Sequence, residues 1–397
     1  MIRRYDPTLM TLSLTDREEA TSADASKKSA ESLQNAGATF AQPILHPANT
    51  PNATKQEHFF YVDFLRCFAI IQVILLHTSA PFATTTSAKG LFWVGCILDS
   101  ITRSCVPLFL MISGMLLLSS RKEEPPVTFL QRRLWRVGSP LIAWTVIYCG
   151  WRFSRGAQLD WQTVVNQPAC YHLQYLYYLI GLYLATPILQ AFLRGSGKQE
   201  VFYFLAVWLL ATSLLPTVGS LTGFLPPFIF VTATGFSGYF ILGHALRNYE
   251  IPKNRYVYFA LSALGCLSIT IVGTYLLTFS QPNPTLNETL FNYSSPQIIV
   301  YSAILFLAAK TLVGQGIESW ADRCIKSVSA ASFTVYLVHP LFLTYISTQL
   351  KWILDLEAHR SVLTLGYVFS VALVTLLCSW LFFQVCRLLK VPSWLAP

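Results

Sequence analysis

Three ionisable residues lie inside one strongly apolar stretch of the chain, residues 59–83. Asp63 and Arg66 stand near the beginning of this stretch, and His77 stands near its end. Ionisable groups inside a membrane span are costly, which makes them candidates for function. Arg66 and His77 are eleven residues apart, so a helix places them on one face, about 16 Å apart along its axis. A cation at one end of this face and an imidazole at the other could hold a long anionic ligand between them.

The element that carries these residues is long and apolar enough to cross a bilayer. The whole chain has 397 residues, of which 53% are hydrophobic and 12% charged. A soluble domain has about 25% charged residues, so the composition predicts an all-α polytopic membrane protein. We expect about ten transmembrane helices. Their approximate bounds are 59–83, 91–118, 134–152, 171–193, 201–216, 224–246, 256–279, 296–314, 328–350 and 361–389.

The basic residues between these stretches alternate in density from one loop to the next. The dense set holds Arg121, Lys122, Arg132, Arg133, Arg136, Arg194, Lys198, Arg247, Lys253, Arg255, Lys310, Arg323, Lys326, Arg387 and Lys390. The sparse set holds Lys89, Arg152, Arg155, Lys351 and Arg360. Cytoplasmic loops carry the excess of Lys and Arg, so both termini are predicted to be cytoplasmic. The formal net charge of +9 is thus explained by topology, and we expect no nucleic-acid partner.

The chain divides into two parts by composition. Residues 1–58 are polar and show no apolar periodicity, which predicts a disordered cytoplasmic tail. Residues 59–390 form the predicted transmembrane domain. The nine cysteines are scattered and include no CxxC pair, which argues against a disulfide framework and against a zinc site. We therefore expect no metal.

Polar groups also occur in the second predicted span. Asp99 and Arg103 are four residues apart and share a helix face. Arg103 would lie about 18 Å from the outer boundary, a depth that is costly without a ligand or a wet cavity. The alternative is that Asp99 merely neutralises Arg103. Ser113 and Gly114 follow in the same span, and we interpret these small residues as helix-packing positions rather than as a nucleophile site.

Two further histidines belong to later spans. His172 begins the fourth span among tyrosines, where an interfacial anchoring role competes with a functional one. His339 lies midway along the ninth span, one turn from Tyr336 and directly before Pro340. Because Pro340 frees a backbone carbonyl, a purely structural histidine is a real alternative to a functional one at this position.

Four blocks of the chain together resemble the acyltransferase 3 family of integral-membrane acyltransferases, in the branch that acts on surface glycans. They are YVDFLRCFAIIQVILLH, RSCVPLFLMISGMLLL, HLQYLYYLIGLYLATPIL and SFTVYLVHP, and they occur in family order over about residues 59–340. One departure concerns the third block, where the family usually has Trp at the position of Gln174 or Tyr175. The resemblance implies acetyl-CoA or a related acyl-CoA as donor and an extracytoplasmic or lipid-linked sugar hydroxyl as acceptor. It also implies a multi-pass protein of a bacterial-type inner membrane, with membrane lipid around it.

The helix geometry suggests how such a reaction would use these residues. Arg66 would bind phosphate oxygens of coenzyme A, and His77, with an ordinary pKa of about 6.5, would be the general base. Arg103 would either assist the anionic donor or stabilise the tetrahedral oxyanion. The supporting or acceptor-side residues are Asp63, which would orient Arg66, and His172, Tyr336 and His339. An acyl intermediate on His77 and direct transfer both remain open.

The main alternative from another functional class is a secondary transporter or a lipid-linked sugar flippase. Membrane-embedded Arg, Asp and His residues also build proton relays and substrate sites in such proteins. However, the two halves of the chain show no internal repeat, and there is no matched pair of interrupted spans. The sequence therefore favours an acyltransferase.

Overall fold

The computed structural model describes residues 59–119, 124–156, 167–223, 235–280, 282–313, 319–355 and 361–397. Most of these residues are helical and none is in a strand, which confirms an all-α fold. The longer helices are α1 Phe60–Ala83, α2 Lys89–Thr102, α3 Cys105–Leu118, α4 Pro126–Ser154, α5 Gln174–Gly195, α6 Lys198–Leu209, α7 Leu215–Thr222, α8 Ser237–Leu246, α9 Tyr256–Phe279, α10 Pro296–Val313, α11 Trp320–Asp355 and α12 Ser361–Leu388. The predicted tail, residues 1–58, lies outside the described residues.

Eight helical segments of the described chain are long and apolar enough to cross a membrane, so the protein is multi-pass. Two predicted spans are not among them. The third falls within α4, which begins eight residues earlier than expected and carries Arg132, Arg133 and Arg136. Part of the sixth, residues 224–234, lies outside the described residues, and α8 has only ten residues. The number of ten spans and the cytoplasmic location of the termini stay predictions.

Helix α1 is the centre of the bundle. It packs against α2, α3, α10, α11 and α12, and its residues Leu65, Ala69, Ile70 and Ile74 are buried. An apolar helix surrounded by other helices has a fixed rotation about its axis, because each of its faces meets a particular neighbour. The residues that α1 carries between Asp63 and His77 are therefore held at defined depths and directions.

The second predicted span is two helices, α2 and α3, with a break at Arg103 and Ser104. Pro107 has no N–H, so it cannot donate to the carbonyl of Arg103. Gln72 on α1 stabilises the break, since its amide donates to the Ile101 carbonyl at 3.1 Å and accepts from the Ser104 hydroxyl at 3.0 Å. The break turns Arg103 towards the interior of the bundle, where α1 lies.

Helices α3 and α8 approach each other backbone to backbone at two glycines. A Cβ added to Gly114 would lie 2.2 Å from the Phe240 carbonyl oxygen, and one added to Gly243 would lie 2.1 Å from the Met111 carbonyl oxygen. No real Cβ fits at such distances, so both positions require glycine. This geometry confirms the packing interpretation for Gly114.

The two glycines of this crossing provide a stability test. Gly114→Ala and Gly243→Ala should each lower the thermal unfolding midpoint in detergent, because overpacking costs about 1–3 kcal/mol. That cost exceeds the roughly 1 kcal/mol that alanine gains over glycine in helix propensity. Gly265 on α9 is the matched control, as an added Cβ there meets no atom within 4 Å. Equal midpoints for all three variants would contradict the close crossing.

Candidate active site

Three histidines from separate elements come together in the bundle. They are His77 on α1, His172 in the 3₁₀ turn Tyr171–Leu173 before α5, and His339 on α11. The ring centroids of His77 and His339 are 5.5 Å apart with nearly parallel planes, at 17°. Those of His172 and His339 are 5.3 Å apart and almost perpendicular. The structure thus unites the sequence-predicted base with two of the residues that were expected to support it.

His339 is fully buried, and its surroundings define which ring nitrogen carries the proton. Pro340 interrupts α11 by lacking an N–H, which leaves the carbonyl of Tyr336, four residues earlier, without its helical donor. The Nδ1 of His339 lies 2.8 Å from this carbonyl oxygen and 3.2 Å from that of Val335. Since a carbonyl can only accept, Nδ1 is the protonated nitrogen. Nε2 then carries the lone pair, and it has no hydrogen-bond partner among the described residues.

Aromatic residues hold the buried side of the cluster. Tyr148 on α4 donates to the Leu337 carbonyl at 2.7 Å, and its ring lies 5.2 Å from His172. Tyr336 donates its hydroxyl to the His172 carbonyl, and the two rings are 5.3 Å apart. His172 is only 4% exposed, so it does not behave as an interfacial anchor. These contacts fix the 3₁₀ turn against α4 and α11.

His77 is the half-buried member of the cluster, and its ring has a neighbour that sequence reasoning missed. Tyr171 lies 4.6 Å from His77 between ring centroids and is 54% exposed. The interpretation of the tyrosines around His172 as an interfacial belt does not distinguish Tyr171 from the others in the fourth span. Only the tertiary contact between α1 and the turn before α5 reveals the difference.

Arg103 is held by an acidic partner and by aromatic rings. Its guanidinium pairs with Asp99 at 2.6 Å and lies 4.7 Å from the Phe291 centroid and 5.7 Å from that of Tyr293. The neutralising role of Asp99 is therefore real. Nevertheless, the Nε of Arg103 is buried without a hydrogen-bond partner in the described part of the chain. Arg103 also lies within electrostatic range of His77, so it retains a donor near the cluster.

The opposite end of α1 carries a second group of polar residues. Asp63 accepts a hydrogen bond from Ser329 on α11 at 2.7 Å. Arg66 is half-buried and lies within electrostatic range of Arg136 on α4 and of Tyr183 on α5. Tyr183 also interacts with Arg133. The spacing of Arg133 and Arg136, one helical turn apart, was available in the sequence, but it had been counted only as a topological signal.

No group of His, Cys, Asp or Glu residues within the described ranges has an arrangement that could hold a metal ion. The three histidines do not form such a group either. The rings of His77 and His339 are stacked, and those of His172 and His339 are nearly perpendicular. The cluster is suited to moving a proton. Nε2 of His339 is fixed as an acceptor, and the imidazole of His77 is the less buried one.

The family comparison agrees with this chemistry. The acyltransferase domain that defines the acyltransferase 3 family matches residues 59–384, and the chain belongs to that family. It is therefore a membrane acyltransferase. Neither the curated proteins nor the solved structures contain a match.

The tautomer of His339 can be tested through Pro340. In Pro340→Ala, the new backbone N–H competes with the imidazole for the Tyr336 carbonyl, so the ring should populate both tautomers. Ring ¹⁵N chemical shifts of histidine-labelled protein should report an Nδ1–H form in the wild type and a mixture in the variant. Acyl transfer should fall even though the substitution favours the helix, because proline costs about 3 kcal/mol relative to alanine in a helix interior.

The control for this experiment is Pro187→Ala on α5, which also removes a proline from a helix interior but has no histidine before it. It should leave the shifts of His339 unchanged. A wild-type protein whose His339 carries its proton on Nε2 would contradict the hydrogen-bond assignment.

Proposed function

We propose that the protein transfers an acetyl or related acyl group from acyl-CoA to a hydroxyl of an extracytoplasmic or lipid-linked sugar. The observation that carries this proposal is the distribution of charge along α1, with Arg66 at one end and the histidine cluster at the other. Their separation of about 16 Å suits an extended phosphopantetheine arm. The location is a bacterial-type inner membrane, with Arg66 towards the cytoplasm and His77 towards the outside.

At the cytoplasmic end, Arg66 binds phosphate oxygens of the donor. A guanidinium matches phosphate because its planar fork donates two parallel hydrogen bonds. Arg133 and Arg136 add positive charge near the same place, within range of Tyr183. Arginines close together repel one another, and an anion that binds between them removes this repulsion. The cluster therefore favours a polyanionic ligand over a neutral one.

At the histidine cluster, His77 accepts the proton of the sugar hydroxyl. The alkoxide oxygen forms a bond to the thioester carbonyl carbon, the C–S bond breaks, and the imidazolium returns the proton to the departing thiolate. Protons and charges balance without a further reactant. Arg103 stabilises the oxyanion through the guanidinium nitrogen that Asp99 leaves free.

His339 supports His77 as a positioning residue. Its Nε2 lone pair is fixed by the bond from Nδ1 to the Tyr336 carbonyl. In the donor-bound protein we expect the His77 ring to turn out of the stacked arrangement so that one N–H points to this nitrogen, which leaves the other nitrogen of His77 as the base. His172 and Tyr336 close the buried side and exclude water from it.

The general-base role predicts separate effects on binding and on rate. His77→Gln keeps a polar side chain without a titrating nitrogen, and it should lower the transfer rate by about 10²- to 10⁴-fold. Stabilisation of the detergent-solubilised protein by coenzyme A should be unchanged, because the phosphate contacts are distant. His244→Gln on α8, outside the cluster, is the matched control. A transporter would show neither acetyl-CoA turnover nor stabilisation by coenzyme A. Turnover at the wild-type rate in His77→Gln would refute the general-base role of His77.

The phosphate role of Arg66 predicts a change in affinity. Arg66→Lys retains the charge but loses the bidentate fork, and one charge-assisted hydrogen bond is worth roughly 1.5–3 kcal/mol. The apparent KM for acetyl-CoA should rise about 10- to 150-fold, more than the saturated rate falls. If Arg66 only pairs with Asp63, then Asp63→Asn and Arg66→Lys should lose folded protein in parallel and bind donor normally. Donor affinity per folded molecule decides between the two roles, with the exposed Arg194→Lys as control.

A further inference from the structure

Tyr171 differs from the other tyrosines that surround the histidine cluster. Tyr148 and Tyr336 are buried and use their hydroxyls to fix the backbone of neighbouring elements. Tyr171 is 54% exposed, and its ring lies 4.6 Å from that of His77 between centroids. An aromatic surface is thus open to the surroundings directly beside the half-buried imidazole of His77.

The backbone that carries Tyr171 is fixed by contacts of its neighbouring residues. The 3₁₀ turn is closed by a hydrogen bond from the Leu173 N–H to the Cys170 carbonyl at 3.0 Å. The hydroxyl of Tyr336 donates to the carbonyl of His172, the next residue. The His172 ring packs against the buried rings of Tyr148 and His339. A ring on a fixed backbone loses little conformational entropy when it binds a ligand, which is a property of a prepared binding surface.

The exposed ring matches one class of ligand. A pyranose ring carries an apolar face of C–H groups and a rim of hydroxyls, and the apolar face stacks on an aromatic ring. A sugar stacked on Tyr171 projects a rim hydroxyl over the ring edge towards His77. We propose that Tyr171 is the stacking platform of an acceptor subsite that binds a pyranose through this face. This inference rests on the proposed function and extends it from the donor to the acceptor.

The competing explanation is that Tyr171 anchors the protein at the membrane interface, where tyrosine is common. Tyr177 on α5 provides the comparison, because it comes from the same tyrosine-rich stretch and is 42% exposed. Within the described chain Tyr177 makes no ring contact with the histidines, unlike Tyr171. An anchoring role predicts similar consequences for both tyrosines, whereas a platform role predicts an effect at Tyr171 alone.

The experiment compares two activities of the full-length protein. Transfer is measured as radiolabel passed from acetyl-CoA to carbohydrate in membranes that contain the native acceptor. Hydrolysis of acetyl-CoA is measured with purified protein without acceptor. Tyr171→Leu should lower transfer by about 2- to 13-fold, the equivalent of the roughly 0.5–1.5 kcal/mol of a ring contact, and leave hydrolysis unchanged. Tyr171→Phe and Tyr171→Trp should keep transfer because they keep an aromatic face, and Tyr177→Leu should match the wild type.

Three results would overturn the platform. Tyr171→Leu could equal Tyr177→Leu in transfer, which would indicate an anchor. Hydrolysis could fall together with transfer, which would show that Tyr171 acts on His77 itself. Tyr171→Phe could lose as much as Tyr171→Leu, which would assign the effect to the hydroxyl. A wild-type protein that neither hydrolyses acetyl-CoA nor transfers its acyl group refutes the proposed function, and the subsite with it, before any variant is compared.

Discussion

The hydrogen bond from the His339 ring to the carbonyl of Tyr336 is the contact on which the site depends. Within an apolar bundle a backbone carbonyl without a donor is costly, and Pro340 creates one. The imidazole satisfies it at 2.8 Å, and the same bond fixes the ring's tautomer and directs its lone pair into the cluster. The need of the Tyr336 carbonyl for a donor thus orients the imidazole of His339. The sequence offered a structural and a functional histidine as alternatives. The geometry shows the structural contact, and it leaves Nε2 available for the functional role that we propose.

Helix α1 also contains a proline near a histidine of the cluster. Pro81 lies inside this helix, four residues after His77, and cannot donate to the His77 carbonyl. Each of the two stacked histidines therefore belongs to a continuous helix that contains a proline nearby. Lower on α1, Gln72 stabilises the break between α2 and α3, which gives Arg103 its place near the cluster. Missing backbone hydrogen bonds within a membrane bundle are tolerated where side chains replace them, as Gln72 does at the α2–α3 break and His339 does at Pro340.

Local signals were sufficient to predict the helical fold and to select candidate site residues on several spans. Apolar length predicted most helices, and the cost of burying ionisable groups selected Arg66, His77 and Arg103. The meeting of His77 with His172 and His339 was not predictable, since these residues are far apart in the chain and no local pattern reports a tertiary contact. The proximity of Arg136 to Arg66 was missed for the same reason. The start of α4 was misplaced because its first turns are too polar to resemble a span.

The central claim is that the acyl group enters from the cytoplasmic side and leaves on a sugar at the other side. Sealed membrane vesicles of known orientation test this claim directly when radiolabelled acetyl-CoA is supplied only outside. Vesicles with the cytoplasmic face outward should place label on carbohydrate enclosed in their lumen. Vesicles of the opposite orientation should do so only after permeabilisation. Equal labelling in both orientations, or label that never reaches carbohydrate, would contradict the account.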